Sequence, residues 1–196
     1  MIIAYHVIFG MYGFWLPNDP RGSWSDFVAS WNLFRYGHAT KVTNRRSHAW
    51  DHHDVALRLK AKDALKFAPV VLNGRQALSV GRGFARVAQS SGYAVHACAI
   101  LPDHVHLVLG RHHYGIEQVM RRLKQSAGSM LREEGLHPLA EFARDGEALP
   151  TPFARRFWNC FIDSDEYARS AIEYVQRNPE KEGKKRQRWS FVSQWG

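Results

Sequence analysis

The sequence reads Tyr93-Ala-Val-His-Ala-Cys-Ala-Ile-Leu101, then Pro102-Asp103, then His104-Val-His-Leu-Val-Leu109. Both long runs are apolar and contain β-branched residues, which favour strands, and the proline between them favours a turn. Two strands joined by only two residues are typical of an antiparallel hairpin. The centre of the chain is therefore predicted to be a β-hairpin.

Helices and strands are also predicted on both sides of this hairpin. Asn73 can cap a helix over about 74–91. Residues 115–133 carry apolar side chains at the helical spacing of three and four residues. Nearer the ends of the chain, residues 4–9 and 155–162 are rich in β-branched and aromatic types, which predicts two more strands.

A last helix is predicted after the last strand. Asp163 and Glu166 are expected to form a capping box for a helix over 164–178, which Pro179 is expected to end. An irregular, aromatic-rich excursion lies at about 17–70. Without it the order of elements is βαββαβ plus a C-terminal helix. That order predicts an α+β fold in a single domain: a ferredoxin-like antiparallel sheet with helices on one face.

The charge of the chain indicates a polyanionic partner. The net charge is +9 and the isoelectric point is about 9.8, although a merely soluble basic protein could have the same balance. Cations attract phosphates and exposed aromatic rings stack on bases, so a mixture of the two suits single-stranded nucleic acid. The residues that we expect to contact it, some of them in a basic tail at 180–196, are Arg121, Arg122, Lys124, Arg155, Lys184, Lys185, Arg186 and Trp189. The alternative is a solvated charged face and a docked or disordered tail.

Several classes of protein are disfavoured by the sequence. No apolar run approaches the roughly 20 residues of a membrane span. The first residues, MIIAYH, have neither the basic region nor the apolar run of a signal peptide. Cys98 and Cys160 are too few and too far apart for a disulfide framework. A cytoplasmic protein without a membrane partner is therefore expected.

Two histidines of the hairpin are candidate metal ligands. His104 and His106 alternate on a predicted strand, so both imidazoles point to one face while Val105 points to the other. Imidazole is a common ligand of divalent metals. Two hydrogen-bonded histidines without a metal are the alternative, and a third ligand must come from elsewhere in the chain.

The last predicted helix offers that ligand and a nucleophile. Tyr174 and Asn178 are four residues apart, hence on one helical face. If this face covers the sheet, the amide oxygen of Asn178 can be the third ligand and the Tyr174 phenol can lie beside the metal. Taken alone, Tyr174 could be an aromatic residue packed in the core, and Asn178 could be an ordinary residue at the end of the helix. Tyr167, seven residues before Tyr174, is the rival nucleophile.

These residues carry a resemblance to a known family. Residues 101–108, LPDHVHLV, resemble the histidine–hydrophobic–histidine (HUH) strand of single-tyrosine transposases of the insertion sequence 200-like family. Residues 174–179, YVQRNP, resemble their catalytic helix, in which a tyrosine is followed four residues later by asparagine and proline. Residues 5–7, YHV, and 15–22, WLPNDPRG, are similar to the branch that acts on repetitive extragenic palindromes (REP).

The resemblance implies a metal-dependent transposase that cleaves and rejoins single-stranded DNA at sites bearing hairpins. Tyr174 is then the nucleophile that forms a 5′-phosphotyrosine link, and His104, His106 and Asn178 bind Mg²⁺ or Mn²⁺. A monomer is expected rather than a dimer. The chain departs from the family at Asp103, where asparagine is usual. Two alternatives stay open, a non-catalytic module that binds single-stranded nucleic acid and a metal-dependent hydrolase without a covalent intermediate.

Overall fold

The computed structural model of the chain describes residues 1–20, 31–38 and 52–196. Two parts of the predicted excursion, 21–30 and 39–51, lie outside these residues. The strands are β1 (Ala4–Gly10), β2 (Val95–Ile100), β3 (His104–Gly110) and β4 (Trp158–Ile162). The helices are α1 (Trp31–Phe34), α2 (Val55–Asp63), α3 (Gly74–Ser91), α4 (Ile116–Glu133) and α5 (Asp165–Lys181), with a 3-10 turn at Ala140–Phe142. None of these described helices is long and apolar enough to cross a membrane.

The four strands form one antiparallel sheet in the order β2-β3-β1-β4. This is the strand order of a ferredoxin-like fold, so the predicted fold class is confirmed. The predicted hairpin joins β2 to β3, and its turn is closed by a bond from the Leu101 amide to the His104 carbonyl at 2.9 Å. Strand β3 is therefore internal, with β1 on its other side.

Helices α3 and α4 cover one face of the sheet and pack closely against each other. Asn73 and Gln76 form a reciprocal capping box at the start of α3, with both bonds at 2.9 Å. Gly92 ends this helix in the left-handed conformation that favours glycine. At the crossing with α4, a Cβ added to Gly83 would lie 2.5 Å from the Ala127 Cα, so the absence of a side chain permits this approach.

Helix α5 covers the opposite face, and both of its ends differ from the prediction. Its N-cap is Ser164, whose hydroxyl accepts from the Tyr167 amide, rather than Asp163. At the other end the helix continues through Pro179 to Lys181. Proline lacks an N–H donor and so removes one helical bond, but it does not prevent the residues after it from completing the turn. The amide of Glu182 bonds to the Pro179 carbonyl at 3.1 Å.

The C-terminal tail docks on the free edge of β2. The Gln187 side chain pairs with both the amide and the carbonyl of Ile100, at 2.7 Å each. Further along, the Ser193 amide bonds to the Val95 carbonyl at 2.8 Å. These bonds satisfy backbone groups that an edge strand would otherwise expose.

Candidate catalytic site

The site lies on the sheet face that α5 covers. His104 and His106 point to this face, since Val105 between them is buried in the core on the α3–α4 side. Strand β1 runs antiparallel beside β3 and brings His6 within reach of His106. The neighbouring residues of β2 on this face include Ala99, which pairs with His106 in register. Its small side chain leaves room for imidazoles under the helix.

Both ring nitrogens of His106 lie within hydrogen-bond distance of another side chain. Its Nδ1 lies 3.2 Å from His6 Nε2, and its Nε2 lies 2.8 Å from the Asn178 amide nitrogen. An amide nitrogen only donates, so His106 Nε2 is the acceptor and its Nδ1–H donates to His6. The lone pair of His106 Nε2 therefore points toward Asn178 and is fixed there by His6.

Burial keeps these histidines neutral. His106 is only 3% exposed, and burial, followed by electrostatic interactions with His104, His6 and Lys181, holds the pKa of its imidazole well below the usual value. Burial also lowers the pKa of the His6 imidazole to about 4. A neutral imidazole is the form that binds a metal.

His104 lies nearer the surface, beside two carboxylates. Its Nδ1 is 2.6 Å from the Asp103 carboxylate. A ring nitrogen of His104, an Asp103 oxygen and a Glu182 oxygen all lie within 4.8 Å of one another. This cluster is close enough to hold a single cation.

Tyr174 lies beside the two buried histidines. Its ring centroid is 5.7 Å from that of His106 and 5.8 Å from that of His6, and the residue is 43% exposed. The Lys181 ammonium lies 4.0 Å from the centre of the ring. Burial raises the pKa of the Tyr174 phenol. Tyr167, the rival nucleophile, packs instead on the apolar cluster under the first half of α5.

The donor set fits a divalent cation. His104 and His106 offer nitrogen, and turning the Asn178 amide about its last bond would replace its nitrogen by oxygen. The 2.8 Å separation between Asn178 and His106 Nε2 is close to the spacing of two ligands on one cation held at about 2.1 Å. Neutral imidazoles, an amide oxygen and neighbouring carboxylates suit Mn²⁺ or Mg²⁺.

Several of the predicted DNA-contacting residues line a groove on the opposite side of the sheet. Arg121, Lys124 and Arg155 face a cavity of about 1000 Å³ between α4 and residues 149–157. The Lys124 ammonium donates to two carbonyls of that segment, at 2.9 and 3.1 Å, and burial lowers its pKa to about 8. Lys124 therefore holds the wall of the groove together. Arg122 lies outside the groove, over the Tyr114 ring.

The candidate DNA-contacting residues of the tail are in part engaged with the protein. Lys184 lies 3.5 Å from the Glu182 carboxylate, and Arg186 lies 3.1 Å from that of Glu180. Trp189 packs on Gly81 of α3, where an added Cβ would overlap its ring. Lys185 is exposed. Their contacts with nucleic acid stay predictions.

Sequence reasoning did not include His6, Lys181, Glu182 and Trp158 in the site. His6 lies under α5 and stacks with Trp158 edge to face, at 5.5 Å between centroids. The alternation of side chains along β1 could have shown which face of the sheet His6 is on. Only the register between β1 and β3 shows that His6 contacts His106. Lys181 and Glu182 were missed because the helix was expected to end at Pro179.

Comparisons with known proteins identify one family. A family model described as "Transposase IS200 like" matches residues 66–178. The structure of a REP-associated tyrosine transposase bound to a REP hairpin has a TM-score of 0.49 and 14% identity, over 92% of this chain and 68% of that chain. A candidate transposase from Deinococcus radiodurans R1 has a TM-score of 0.40 and 12% identity, over 90% of this chain and 91% of that chain. No curated protein matches the sequence.

Proposed function

The chain belongs to the IS200-like transposase family, and from this premise we propose that it cleaves and rejoins single-stranded DNA with Tyr174 as the nucleophile. One observation carries the proposal. The half-exposed Tyr174 ring lies 5.7 Å from the ring of His106, while Asn178, one turn further along the same helix, lies 2.8 Å from His106 Nε2. The proposed nucleophile and two of the proposed metal donors are therefore close together.

His104, His106 and Asn178 are the proposed ligands of Mg²⁺ or Mn²⁺. When bound there, the cation would polarise a phosphate oxygen and offset the charge that develops in the transition state. His6 supports this role, since it accepts from His106 Nδ1–H and so leaves Nε2 free to bind. The low pKa of His106 keeps its lone pair available at neutral pH.

The proposed reaction exchanges one phosphodiester for another. The Tyr174 oxygen attacks the phosphorus, the bond to the 3′ oxygen breaks, and a 5′-phosphotyrosine and a 3′-hydroxyl result. The phenol proton passes to solvent, and the departing 3′ oxygen takes up a proton from solvent. The reverse attack by a 3′-hydroxyl rejoins the strand and needs no external energy source. Because burial raises the pKa of Tyr174, the phenol depends on nearby positive charge, such as Lys181, to react near neutral pH.

The basic groove is the proposed surface for the rest of the DNA. Arg121 and Arg155 line it and are exposed, so both can contact phosphates. The groove and the catalytic face meet at the β4 edge: Asn159 lines the groove, and Trp158 contacts His6 on the other face. A strand held in the groove could reach Tyr174 by crossing this edge, and a hairpin is the element that we expect the groove to hold.

The proposal is tested by covalent capture. The full chain is incubated with single-stranded oligonucleotides bearing hairpins and with Mn²⁺ or Mg²⁺, and the products are separated on a denaturing gel. We expect a protein band linked to DNA that disappears in Tyr174→Phe and persists in Tyr167→Phe, the matched control on the same helix. Cleaved DNA without a linked band would indicate a hydrolase. A band that survives in Tyr174→Phe and disappears in Tyr167→Phe would contradict the assignment.

A further inference from the structure

We infer that Glu182 supplies an anionic oxygen to the cation that His104, His106 and Asn178 bind. The inference rests on the proposed function of the site. Glu182 follows Asn178 by four residues, so on a continuous helix the two share a face. The helix is continuous here, because α5 passes through Pro179 to Lys181 and Glu182 is its C-cap. The unexpected extension of α5 thus aligns a carboxylate with the site.

Distances support the assignment. An oxygen of Glu182, a ring nitrogen of His104 and an oxygen of Asp103 lie within 4.8 Å of one another. Two ligand atoms on one cation at about 2.1 Å lie at most about 4.2 Å apart, so a Glu182 oxygen within 4.8 Å of a His104 ring nitrogen is near the spacing that a shared cation requires. The Glu182 side chain is 33% exposed, so it has room to move closer.

The charge of the site also favours Glu182 as a ligand. His104, His106 and Asn178 bind as neutral donors, so none of these three proposed ligands offsets the two positive charges of the cation. A carboxylate near the surface end of the site offsets one of them and adds the hard oxygen that Mn²⁺ and Mg²⁺ prefer. Lys184, 3.5 Å from Glu182, balances the carboxylate before the cation binds.

Asp103 has a separate, positioning role in the same cluster. Its carboxylate accepts from His104 Nδ1 at 2.6 Å, which orients the ring and leaves His104 Nε2 as the nitrogen available to a cation. Asp103 therefore orients a ligand, whereas Glu182 contributes one.

The test measures Mn²⁺ binding directly, without DNA and without turnover. The full chain is titrated with Mn²⁺, and free Mn²⁺ is followed by electron paramagnetic resonance. We expect Glu182→Gln to raise the Kd at least about tenfold, the scale on which loss of a metal-site group acts. Glu180→Gln is the matched control, because Glu180 is on the same helical turn, loses the same charge and pairs with Arg186 outside the cluster. We expect it to change the Kd less than about twofold, since Glu180 is exposed and is not part of the Asp103–His104–Glu182 cluster.

The outcomes separate this inference from the proposed function. Equal Mn²⁺ affinity in Glu182→Gln and wild type, with both proteins folded by circular dichroism and both forming the covalent adduct, would overturn the role of Glu182 alone. Equal weakening in Glu180→Gln and Glu182→Gln would also overturn it, because the effect would then be general electrostatics. A wild-type protein that does not bind Mn²⁺ at all would remove the metal site on which both proposals depend.

Discussion

The two faces of the sheet have opposite characters. On the α3–α4 face, Phe9 and Leu107 are fully buried in a large apolar cluster. On the α5 face, the corresponding positions include Ala99 and His106, and the apolar cluster beneath the helix is small. The same strands thus present large apolar side chains to one helix layer and small or polar side chains to the other.

This difference shows how the fold can hold a buried polar site. Burying apolar surface provides most of the stability of a domain, while burying polar groups costs free energy unless they are paired. The α3–α4 face supplies the stability that comes from buried apolar surface. The α5 face can therefore accommodate His6, His106 and Asn178, which satisfy one another through bonds of 3.2 and 2.8 Å.

The largest effect on stability is expected from Phe9→Ala. The Phe9 ring contacts Phe153 and Phe84, at 5.8 and 6.4 Å between centroids, and is fully buried. Its removal leaves a cavity and should lower the free energy of unfolding by about 3–5 kcal/mol, measured by urea denaturation. Tyr174→Phe, on the other face and half exposed, should change it by less than about 0.5 kcal/mol. The reverse order would show that the α5 face carries the stability.

Acid should destabilise the protein through the α5 face. The pKa of His6 is about 4 in the folded protein and about 6.5 in the unfolded chain, so the unfolded chain takes up the proton first. The part of the free energy of unfolding that depends on neutral His6 is therefore fully present above pH 6.5 and is lost as the pH falls from 6.5 through 4. The loss from His6 amounts to about 3 kcal/mol by linkage.

Urea denaturation at intervals from pH 7.5 to 4 measures this loss. In His6→Gln the pH dependence over that range should be visibly shallower than in wild type, whatever the change in stability at pH 7.5. An unchanged slope would mean that His6 is not buried in its neutral form.

The sequence predicted the regular elements well because their signals are local. Asn73 caps α3, and the apolar spacing of residues 115–133 defines α4, as expected. The end of α5 was predicted wrongly, because the rule that proline ends a helix describes a tendency, and here the last turn closes beyond Pro179 through the backbone. Local patterns do not contain that information.

The candidate site was predictable only in part, for a related reason. His104, His106, Tyr174 and Asn178 are recognisable because their spacing is short-range. The DNA contact of Lys124 stays a prediction, and the structure adds that its ammonium bonds to the carbonyls of a segment about 30 residues away, a contact that charge counting does not reveal. Contacts of this kind depend on which distant segments of the chain pack together, and a single sequence does not specify that packing.

Gly83→Ala should destabilise the α3–α4 layer. The new Cβ would lie 2.5 Å from the Ala127 Cα and 2.8 Å from the Ser126 carbonyl, and backbone atoms yield only if the helices separate. A loss of about 1–3 kcal/mol in urea denaturation is expected. Gly128→Ala in α4 is the control, since nothing lies within 4 Å of its added Cβ. It should stabilise the protein by up to about 1 kcal/mol through helix propensity, and a similar loss in both variants would argue against the close crossing.

The smallest effect concerns the groove. Arg155→Ala should weaken binding of single-stranded DNA without changing stability, because Arg155 is exposed and lines the groove. Loss of one phosphate contact should reduce the slope of log K against log salt by about 0.7. Fluorescence anisotropy at several salt concentrations measures both the affinity for DNA and the slope. Arg75→Ala, an exposed arginine in the first turn of α3, should leave the slope unchanged, and equal effects of the two variants would show that the groove has no special role.

The covalent residue itself can be located by peptide mapping. After reaction with a hairpin oligonucleotide and Mn²⁺, the adduct is digested with nuclease and trypsin and analysed by mass spectrometry. Trypsin separates the two tyrosines, since cleavage after Arg156, Arg169 and Arg177 yields residues 157–169 with Tyr167 and residues 170–177 with Tyr174. We predict a nucleotide mass on residues 170–177, with fragment ions that assign it to Tyr174. A nucleotide on residues 157–169, or cleaved DNA with both peptides unmodified, would contradict the assignment of Tyr174 as the nucleophile.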